Sequence, residues 1–160
     1  MRALRLGRHR GFTLIEVLMV IVIIGVFMAL AAPSFRSYTA SQRVKTASFD
    51  LYAALVFARS EAIKRRQTVN VAANGGDWAS GWTVTFAGIT DPLRTQDALT
   101  GVTTSGAASV VYRLDGRLTG AAVGVLIAPQ TADASIANRC VRIDLTGLPK
   151  TTNTSGTVCP

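Results

Sequence analysis

Apolar and polar positions divide the chain into three stretches with different patterns. The first is an apolar run of 21 residues from Phe12 to Ala32, which contains a single charged side chain, Glu16. Roughly 20 apolar residues span the hydrocarbon core of a bilayer as a helix. The run therefore predicts a transmembrane helix, or one that is otherwise covered along its whole length, over residues 12–35.

The second stretch, residues 36–66, has the pattern of an amphipathic helix. Apolar residues recur at spacings of three and four and predict one buried face, formed by Val44, Ala47, Leu51, Leu55, Ala58 and Ala62. Four further residues are expected to widen that face, namely Phe49, Tyr52, Val56 and Ile63. The two stretches together predict one helix of roughly 50 residues, longer than most globular helices. Pro33 lacks an N–H donor and is expected to kink it.

The third stretch, residues 67–160, favours short β-strands. Runs rich in Val, Ile, Thr and aromatic residues lie between Gly, Pro and Asp breaks, at 68–73, 82–86, 109–114, 120–128 and 139–145. Asp115-Gly116 is typical of a tight hairpin turn, and residues 88–108 are expected to form a long loop. The sequence thus predicts an α+β fold, a long N-terminal helix packed on an antiparallel β-sheet domain.

The apolar run permits three interpretations. A secretory signal peptide has an apolar stretch of about 7–15 residues, shorter than this run. A plain membrane anchor accounts for the length and for the basic head of Arg2, Arg5, Arg8 and Arg10. Neither accounts for Glu16, because a charge inside a bilayer costs at least a few kcal/mol.

The third interpretation is a resemblance to type IV prepilins and type II secretion pseudopilins. It is carried by the junction Gly11-Phe12-Thr13-Leu14-Ile15-Glu16-Val17 in register with the long apolar run. The resemblance implies that residues 1–11 are a leader peptide, cut by the prepilin peptidase between Gly11 and Phe12. It also implies N-methylation of Phe12 and a type IV pilin fold.

Glu16 then acquires a role in assembly. Cleavage creates a cationic amine at Phe12, one helical turn away, and a buried carboxylate needs such a partner. In the family this glutamate is thought to pair with the amino terminus of a neighbouring subunit. A glutamate at the interfacial edge of the membrane, snorkelling into the headgroups, is the alternative.

Composition changes once the leader is set aside. The whole chain has a formal charge of +8, but residues 1–11 carry four Arg and no acid, so the remainder has 13 Lys and Arg against 9 Asp and Glu. His9, the sole histidine, also lies in the leader. The mature chain therefore has no imidazole for a catalytic triad or metal site, and we predict a non-enzyme without cofactor or metal.

The two cysteines lie near the C-terminus, at Cys140 and Cys159. A disulfide between them would suit an oxidising periplasm and contribute about 3 kcal/mol in the chain-entropy model. Two free thiols are the alternative.

A second segment narrows the resemblance. The helix end Phe57-Ala58-Arg59-Ser60-Glu61-Ala62-Ile63-Lys64-Arg65-Arg66 is similar to that of the GspH/FimT branch of minor pilins and pseudopilins. This implies a structural subunit of a type IV pilus or type II secretion system, at or near the filament tip. Expected partners are other subunits, the prepilin peptidase, the inner-membrane assembly platform and lipid, with the C-terminal domain in the periplasm.

DNA binding, found among FimT-like members, is the alternative function. Its candidate contacts are Arg139, Arg142 and Lys150. The chain departs from the Gly-Arg-x-Arg pattern of those members, having Gly147-Leu148-Pro149-Lys150 instead. A second basic cluster, Arg59 with Lys64 to Arg66, has the simpler interpretation of cations at a helix C-terminus. A periplasmic domain on a signal anchor, without a filament, is a further alternative.

Overall fold

The computed structural model describes residues 11–159, except for the side chains of residues 30–33. Helix α1 runs from Leu14 to Arg65. Its first turn is capped by Thr13, whose hydroxyl oxygen accepts from the backbone N–H of Glu16 at 3.3 Å. Thr13 and Glu16 thus have the spacing of a capping box.

The C-terminus of α1 is closed by a residue other than glycine. Arg66 has φ 52°, and the N–H of Gln67 donates to the carbonyl of Ala62 at 3.3 Å. This is the bond of a Schellman motif, in which a left-handed residue ends the helix and is usually glycine. The chain therefore turns sharply into the first strand.

Eight strands form two antiparallel sheets, one in the order β3-β2-β1-β5 and the other β4-β6-β7-β8. Their bounds are β1 Val69–Ala73, β2 Trp82–Phe86, β3 Arg94–Gln96, β4 Val102–Gly106, β5 Ser109–Tyr112, β6 Val123–Pro129, β7 Asn138–Ile143 and β8 Pro149–Thr154. Two short 3-10 turns, Asn74–Gly76 and Trp78–Ser80, connect β1 to β2. The predicted α+β fold is confirmed, with the strands divided between two sheets.

Two sequence expectations about the strands were wrong. Residues 88–108 are not one long loop, because they contain β3 and β4, and β8 was not predicted. These segments are rich in Thr, Ser and Gly and have few apolar residues that alternate. Each of these strands pairs with one other strand only: β3 with β2, β4 with β6, and β8 with β7. The partner strand, rather than the local sequence pattern, therefore holds each of them extended.

The core lies between α1 and both sheets. The buried face of the helix includes Val44, Leu51 and Leu55 together with the small residues Ala47, Ala54, Ala58 and Ala62. The small side chains leave room for bulky residues of the sheets and of the turn between β1 and β2, among them Trp78, Trp82, Tyr112, Ile127 and Ile143. The Trp78 indole N–H donates to the carbonyl of Ala107 at 2.7 Å, which satisfies this buried donor.

Two turns meet at the end of the domain where α1 ends. In the first, the N–H of Gly116 donates to the Arg113 carbonyl at 2.8 Å, and in the second the N–H of Gly147 donates to the Asp144 carbonyl at 2.9 Å. A Cβ added to Gly147 would lie 2.0 Å from the Gly116 oxygen. Only glycine permits this approach of the two turns.

The described residues divide into two compact units on either side of the Arg36–Ser37 bond. Within residues 11–159 no single helix has the length and apolar content that a membrane crossing requires. Leu14–Ala29 and Ser34–Arg65 meet this requirement only when they are taken together as a bent pair. The side chain of Pro33 lies outside the described residues, and its kink stays a prediction.

Candidate assembly and processing site

The predicted cleavage junction precedes the helix. Gly11, Phe12 and Thr13 have no regular secondary structure, and Phe12 is 81% exposed. A Cβ at Gly11 would meet no atom within 4 Å. The Gly11–Phe12 bond, where cleavage is expected, therefore lies between two exposed residues. Residues 1–10 of the predicted leader, including His9, lie outside the described residues.

The first part of α1 is apolar on every side. Each large apolar side chain from Leu14 to Met28 is between 46% and 79% exposed. A shallow groove along this segment is lined at helical spacing by Ile15, Leu18, Met19, Val22 and Ile23. Apolar surface of this extent needs lipid or protein to cover it, and Glu16 is the only charge that interrupts it.

The second part of α1 has two apolar faces, and here one sequence expectation was wrong. Phe49, Tyr52, Val56 and Ile63 do not widen the buried face, since they are 37–58% exposed. At 3.6 residues per turn they lie on a different side of the helix from the buried face. From there Phe49 still contacts Arg139 of β7, and Ile63 lies beside Gly116. Tyr38, which is 61% exposed, lies on the same side. We call these five residues the outer stripe.

Two arginines of the basic cluster at the end of α1, Arg59 and Arg65, are engaged within the domain. The Arg59 Nε donates to the carbonyl of Gly116 at 3.0 Å, and the Arg65 Nε donates to the Glu61 carboxylate at 2.7 Å. The guanidinium of Arg65 also lies 5.3 Å from the centroid of the Phe86 ring. These contacts give Arg59 and Arg65 roles in holding the domain together, while the interaction of the cluster with the helix C-terminus stays a prediction.

The candidate DNA contacts do not form one surface. The Arg139 guanidinium lies 5.4 Å from the Phe49 ring of α1, on the side of its sheet that faces the helix. Arg142 pairs in register with Lys150 on the opposite side, where both line a shallow cavity of about 350 Å³ with Asp144. Hydrogen bonding by the Thr146 hydroxyl, with a smaller effect of the Lys150 charge, lowers the pKa of the Asp144 carboxyl.

A disulfide joins Cys140 of β7 to Cys159, with their Cα atoms 5.4 Å apart. Cys140 is fully buried, and the Cys159 side chain lies directly on Gly124 of β6, where an added Cβ would come within 2.8 Å of it. The bond therefore holds the C-terminal tail on the face of the second sheet that points away from α1.

The geometry includes no arrangement typical of a catalytic centre or metal site among the described residues. Across residues 11–159, no three His, Cys, Asp or Glu side chains come close enough together to hold a metal ion. The features that stand out are instead surfaces: an uncovered apolar segment, the outer stripe and an accessible junction.

Comparison with known proteins gives two family matches and several relatives. The family described as Type II transport protein GspH matches residues 47–147, and the Prokaryotic N-terminal methylation motif matches residues 6–32. Two fimbrial proteins of Pseudomonas aeruginosa are 36% identical over 64 residues, which is 40% of this chain. The chain spans 42% of the length of these relatives.

Solved structures of low sequence identity share the fold. The type IV minor pilin FimU of Pseudomonas aeruginosa gives a TM-score of 0.59 at 22% identity, over 73% of this chain and 92% of FimU. The minor pseudopilin EpsH from the Type 2 Secretion System of Vibrio cholerae gives a TM-score of 0.55 at 17% identity, over 69% of this chain and 97% of EpsH. The GspH match covers well over half of the 160 residues, and the chain therefore belongs to the GspH family of type II transport proteins.

Proposed function

We propose that this protein is a minor subunit of a type IV pilus or of a type II secretion pseudopilus. The observation that carries the proposal is the uncovered apolar segment Leu14–Met28, with its single carboxylate Glu16 placed just after the Gly11–Phe12 junction. Such a segment suits a subunit that is stored in a membrane and then transferred into a helical filament core. Membership of the GspH family and the methylation motif support it.

Processing is the first step of the proposed pathway. The prepilin peptidase removes residues 1–11 and methylates Phe12. The exposure of Phe12 and the open space around Gly11 support this assignment, because a peptidase must bind its substrate in an accessible, extended form.

Glu16 is the proposed docking residue. After cleavage the amine of Phe12 carries a positive charge, and the carboxylate of Glu16 in an arriving subunit can pair with the amine of the subunit already in the filament. Pairing is strongly favoured in a medium of low dielectric constant. An unpaired carboxylate in lipid is costly, so docking lowers the free energy of the arriving subunit.

The outer stripe provides a second apolar surface for the assembled state. Its members Phe49, Tyr52, Val56 and Ile63 continue the apolar character of α1 beyond residues 12–35. Residues 12–35 already have the length that a bilayer covers. The outer stripe, which lies beyond them, is therefore expected to be covered by protein rather than by lipid. We assign it to the side of the helix that faces neighbouring subunits.

The proposed location follows from these roles. Residues 12–35 lie in the inner membrane before assembly, with the inner-membrane platform as a partner, and the remaining residues fold in the periplasm. The Cys140–Cys159 disulfide is compatible with an oxidising compartment. The chain acts as a structural subunit, and catalysis is no part of the proposal.

Mass spectrometry of the chain purified from its own cells tests the proposal. We expect loss of residues 1–11, with one methyl group on Phe12, and recovery of the processed chain in sheared filaments or pseudopili. An intact leader, or a processed chain that stays entirely in the membrane fraction, would contradict it and favour a signal-anchored domain.

Substitution of Glu16 separates charge from helix capping. Glu16→Gln keeps a residue that suits this position of a capping box but removes the charge, whereas Glu16→Ala removes both. We expect both variants to insert in the membrane and both to be lost from filaments. Normal incorporation of Glu16→Gln would show that charge pairing is not the reason for the glutamate.

A further inference from the structure

Four aliphatic side chains are exposed at the end of the domain where α1 ends. Ile63 belongs to the last turns of the helix and is 46% exposed, while Leu114, Leu145 and Leu148 belong to the two adjoining turns and are 55%, 51% and 48% exposed. We call these four residues the turn patch. Single exposed leucines are ordinary, but apolar side chains grouped at one end of a domain are typical of interaction sites.

The glycines of the two turns bring the patch together. A Cβ on Gly116 would lie 2.5 Å from the Cδ1 of Ile63, and one on Gly147 would lie 2.0 Å from the Gly116 oxygen. Leu114 stands two residues before Gly116, and Leu145 and Leu148 flank Gly147. The three elements therefore contact one another at the centre of the patch.

The patch is rigid as well as exposed. Within the first turn the N–H of Arg113 donates to the Arg117 carbonyl at 2.8 Å, and Arg59 of α1 donates to Gly116 at 3.0 Å. The second turn is held by Asp144, whose carboxylate accepts from the Thr146 N–H at 3.0 Å. A surface held in one conformation before binding loses little entropy when a partner docks.

The hydrogen bonds that form these turns come from aspartate side chains and backbone groups, and not from the leucine side chains. The Asp115 carboxylate accepts from the N–H of Arg117 at 3.1 Å, and Asp144 makes the corresponding bond in the second turn. These aspartates and the glycines supply the local requirements of the turns. Positions 114 and 145 are therefore free to be polar, and the leucines there expose apolar surface without a local benefit.

The rim of the patch carries an excess of positive charge. Exposed Lys64, Arg66, Arg113 and Arg117 adjoin it in sequence, against the carboxylates of Asp115 and Asp144. The nearest approach of Arg113 to Asp115 is 3.8 Å, and such exposed pairs contribute little. Two copies that met through this face would bring two basic rims together, which is unfavourable.

We propose that the turn patch docks a different subunit of the same filament, through an apolar surface rimmed by Asp and Glu side chains. Charge complementarity selects that partner over a second copy of this chain. The inference rests on the proposed function, since it assumes that other pilin-like subunits assemble beside this one. It adds the surface that chooses the neighbour. This surface shares Ile63 with the outer stripe, but its three leucines lie in turns outside α1.

A photo-crosslinking amino acid placed at Leu114 or Leu145 of the full chain, in its own cells, tests the proposal. The control position is Ala108, which is exposed at the opposite end of β5. We expect positions 114 and 145 to give an adduct with one other subunit that has a processed Gly-Phe-type junction, with Asp or Glu near the crosslinked site. Position 108 should not give this adduct.

Charge reversal gives an independent measurement. Arg117→Glu should lower the yield of the Leu114 adduct by about tenfold, because it removes one favourable charge from the rim and adds a repulsive one. The matched control is Arg94→Glu, the same change at an exposed position of β3. Equal yields from the two variants would overturn the assignment of an acidic rim.

The remaining outcomes also decide between partners. An adduct with a second copy of this chain, with lipid or with DNA, or no adduct at either leucine, would overturn the proposal. Failure of the proposed function is recognised separately, since the leader would then remain or the chain would be absent from filaments. A processed chain that enters filaments but gives no adduct would contradict the turn patch alone.

Discussion

Gly147 is a position at which a single added methyl group should be strongly destabilising. It has φ 80°, and a Cβ there would lie 2.0 Å from the carbonyl oxygen of Gly116, 3.1 Å from its carbon and 3.3 Å from the Cα of Arg117. All three atoms belong to the backbone, so no side chain can rotate to relieve the overlap. Gly147→Ala must therefore separate the two turns.

The cost can be worked out from two contributions. Alanine in the left-handed region costs about 1 kcal/mol. Moving Gly116 away also breaks its hydrogen bond with Arg59, at 3.0 Å, and a bond of this kind from a charged donor contributes about 1.5–3 kcal/mol. We expect Gly147→Ala to lower the free energy of unfolding by about 2.5–4 kcal/mol.

Gly88 provides a matched control. It has φ 81°, almost the same as Gly147, but a Cβ there would meet no atom within 4 Å. Gly88→Ala should thus lose only the conformational contribution, about 1 kcal/mol. Urea unfolding of the full chain in detergent micelles measures both, with the fluorescence of Trp78 and Trp82 as the probe, since each is at most 2% exposed.

The test depends on the difference in free energy of unfolding between Gly147→Ala and Gly88→Ala. If Gly147→Ala and Gly88→Ala lose the same free energy within about 0.5 kcal/mol, the contact between the turns does not contribute to stability. The role given to Arg59 and the rigidity of the turn patch would then both be refuted.

Three further predictions concern stability. Cys140→Ser with Cys159→Ser should lower the free energy of unfolding by about 3 kcal/mol, and the double variant, unlike the original chain, should melt at the same temperature with and without reductant. Arg66→Gly should raise that free energy by about 0.5–1 kcal/mol, because glycine adopts the left-handed conformation without strain; a loss in urea unfolding would contradict the helix-end geometry. Burial raises the pKa of the Tyr112 phenol well above its usual value near 10, an effect opposed by the charge of Arg59 and reinforced by Asp144. The unfolded chain therefore releases the Tyr112 proton at a lower pH than the folded chain does. The stabilisation is complete below pH about 10, and the free energy of unfolding should decrease as the pH rises above that value. In Tyr112→Phe this part of the decrease should be absent, as should the late step of a tyrosine absorbance titration.

The interpretation of α1 shows how far a periodic pattern can be followed. Spacings of three and four correctly indicated that Val44, Leu51 and Leu55 share a buried face. The same spacing places Phe49 and Val56, two and five residues from Leu51, on another side of the helix at 3.6 residues per turn. The expectation that they widen the buried face overlooked this signal. The four buried alanines of α1 were a second signal, since small residues mark the side on which other elements approach closely.

The candidate DNA contacts show a different limit. Arg139 and Arg142 are three residues apart in one strand, and alternation along a strand places such residues on opposite faces. The sequence therefore held the information that separates them, once the strand was placed. That Lys150 lies beside Arg142 required the pairing of β7 with β8, which no local pattern predicted.

The sequence by itself determined the elements that local chemistry can specify. These are the apolar run with its lone glutamate, the junction before it, the long helix and the strands with alternating Val and Ile. The tertiary structure alone decided which strands pair, that there are two sheets, and that the turns around Gly116 and Gly147 meet beside Ile63. The physical reason is range: helix periodicity and capping act over a few residues, whereas strand order and the meeting of turns depend on contacts between residues far apart in the chain.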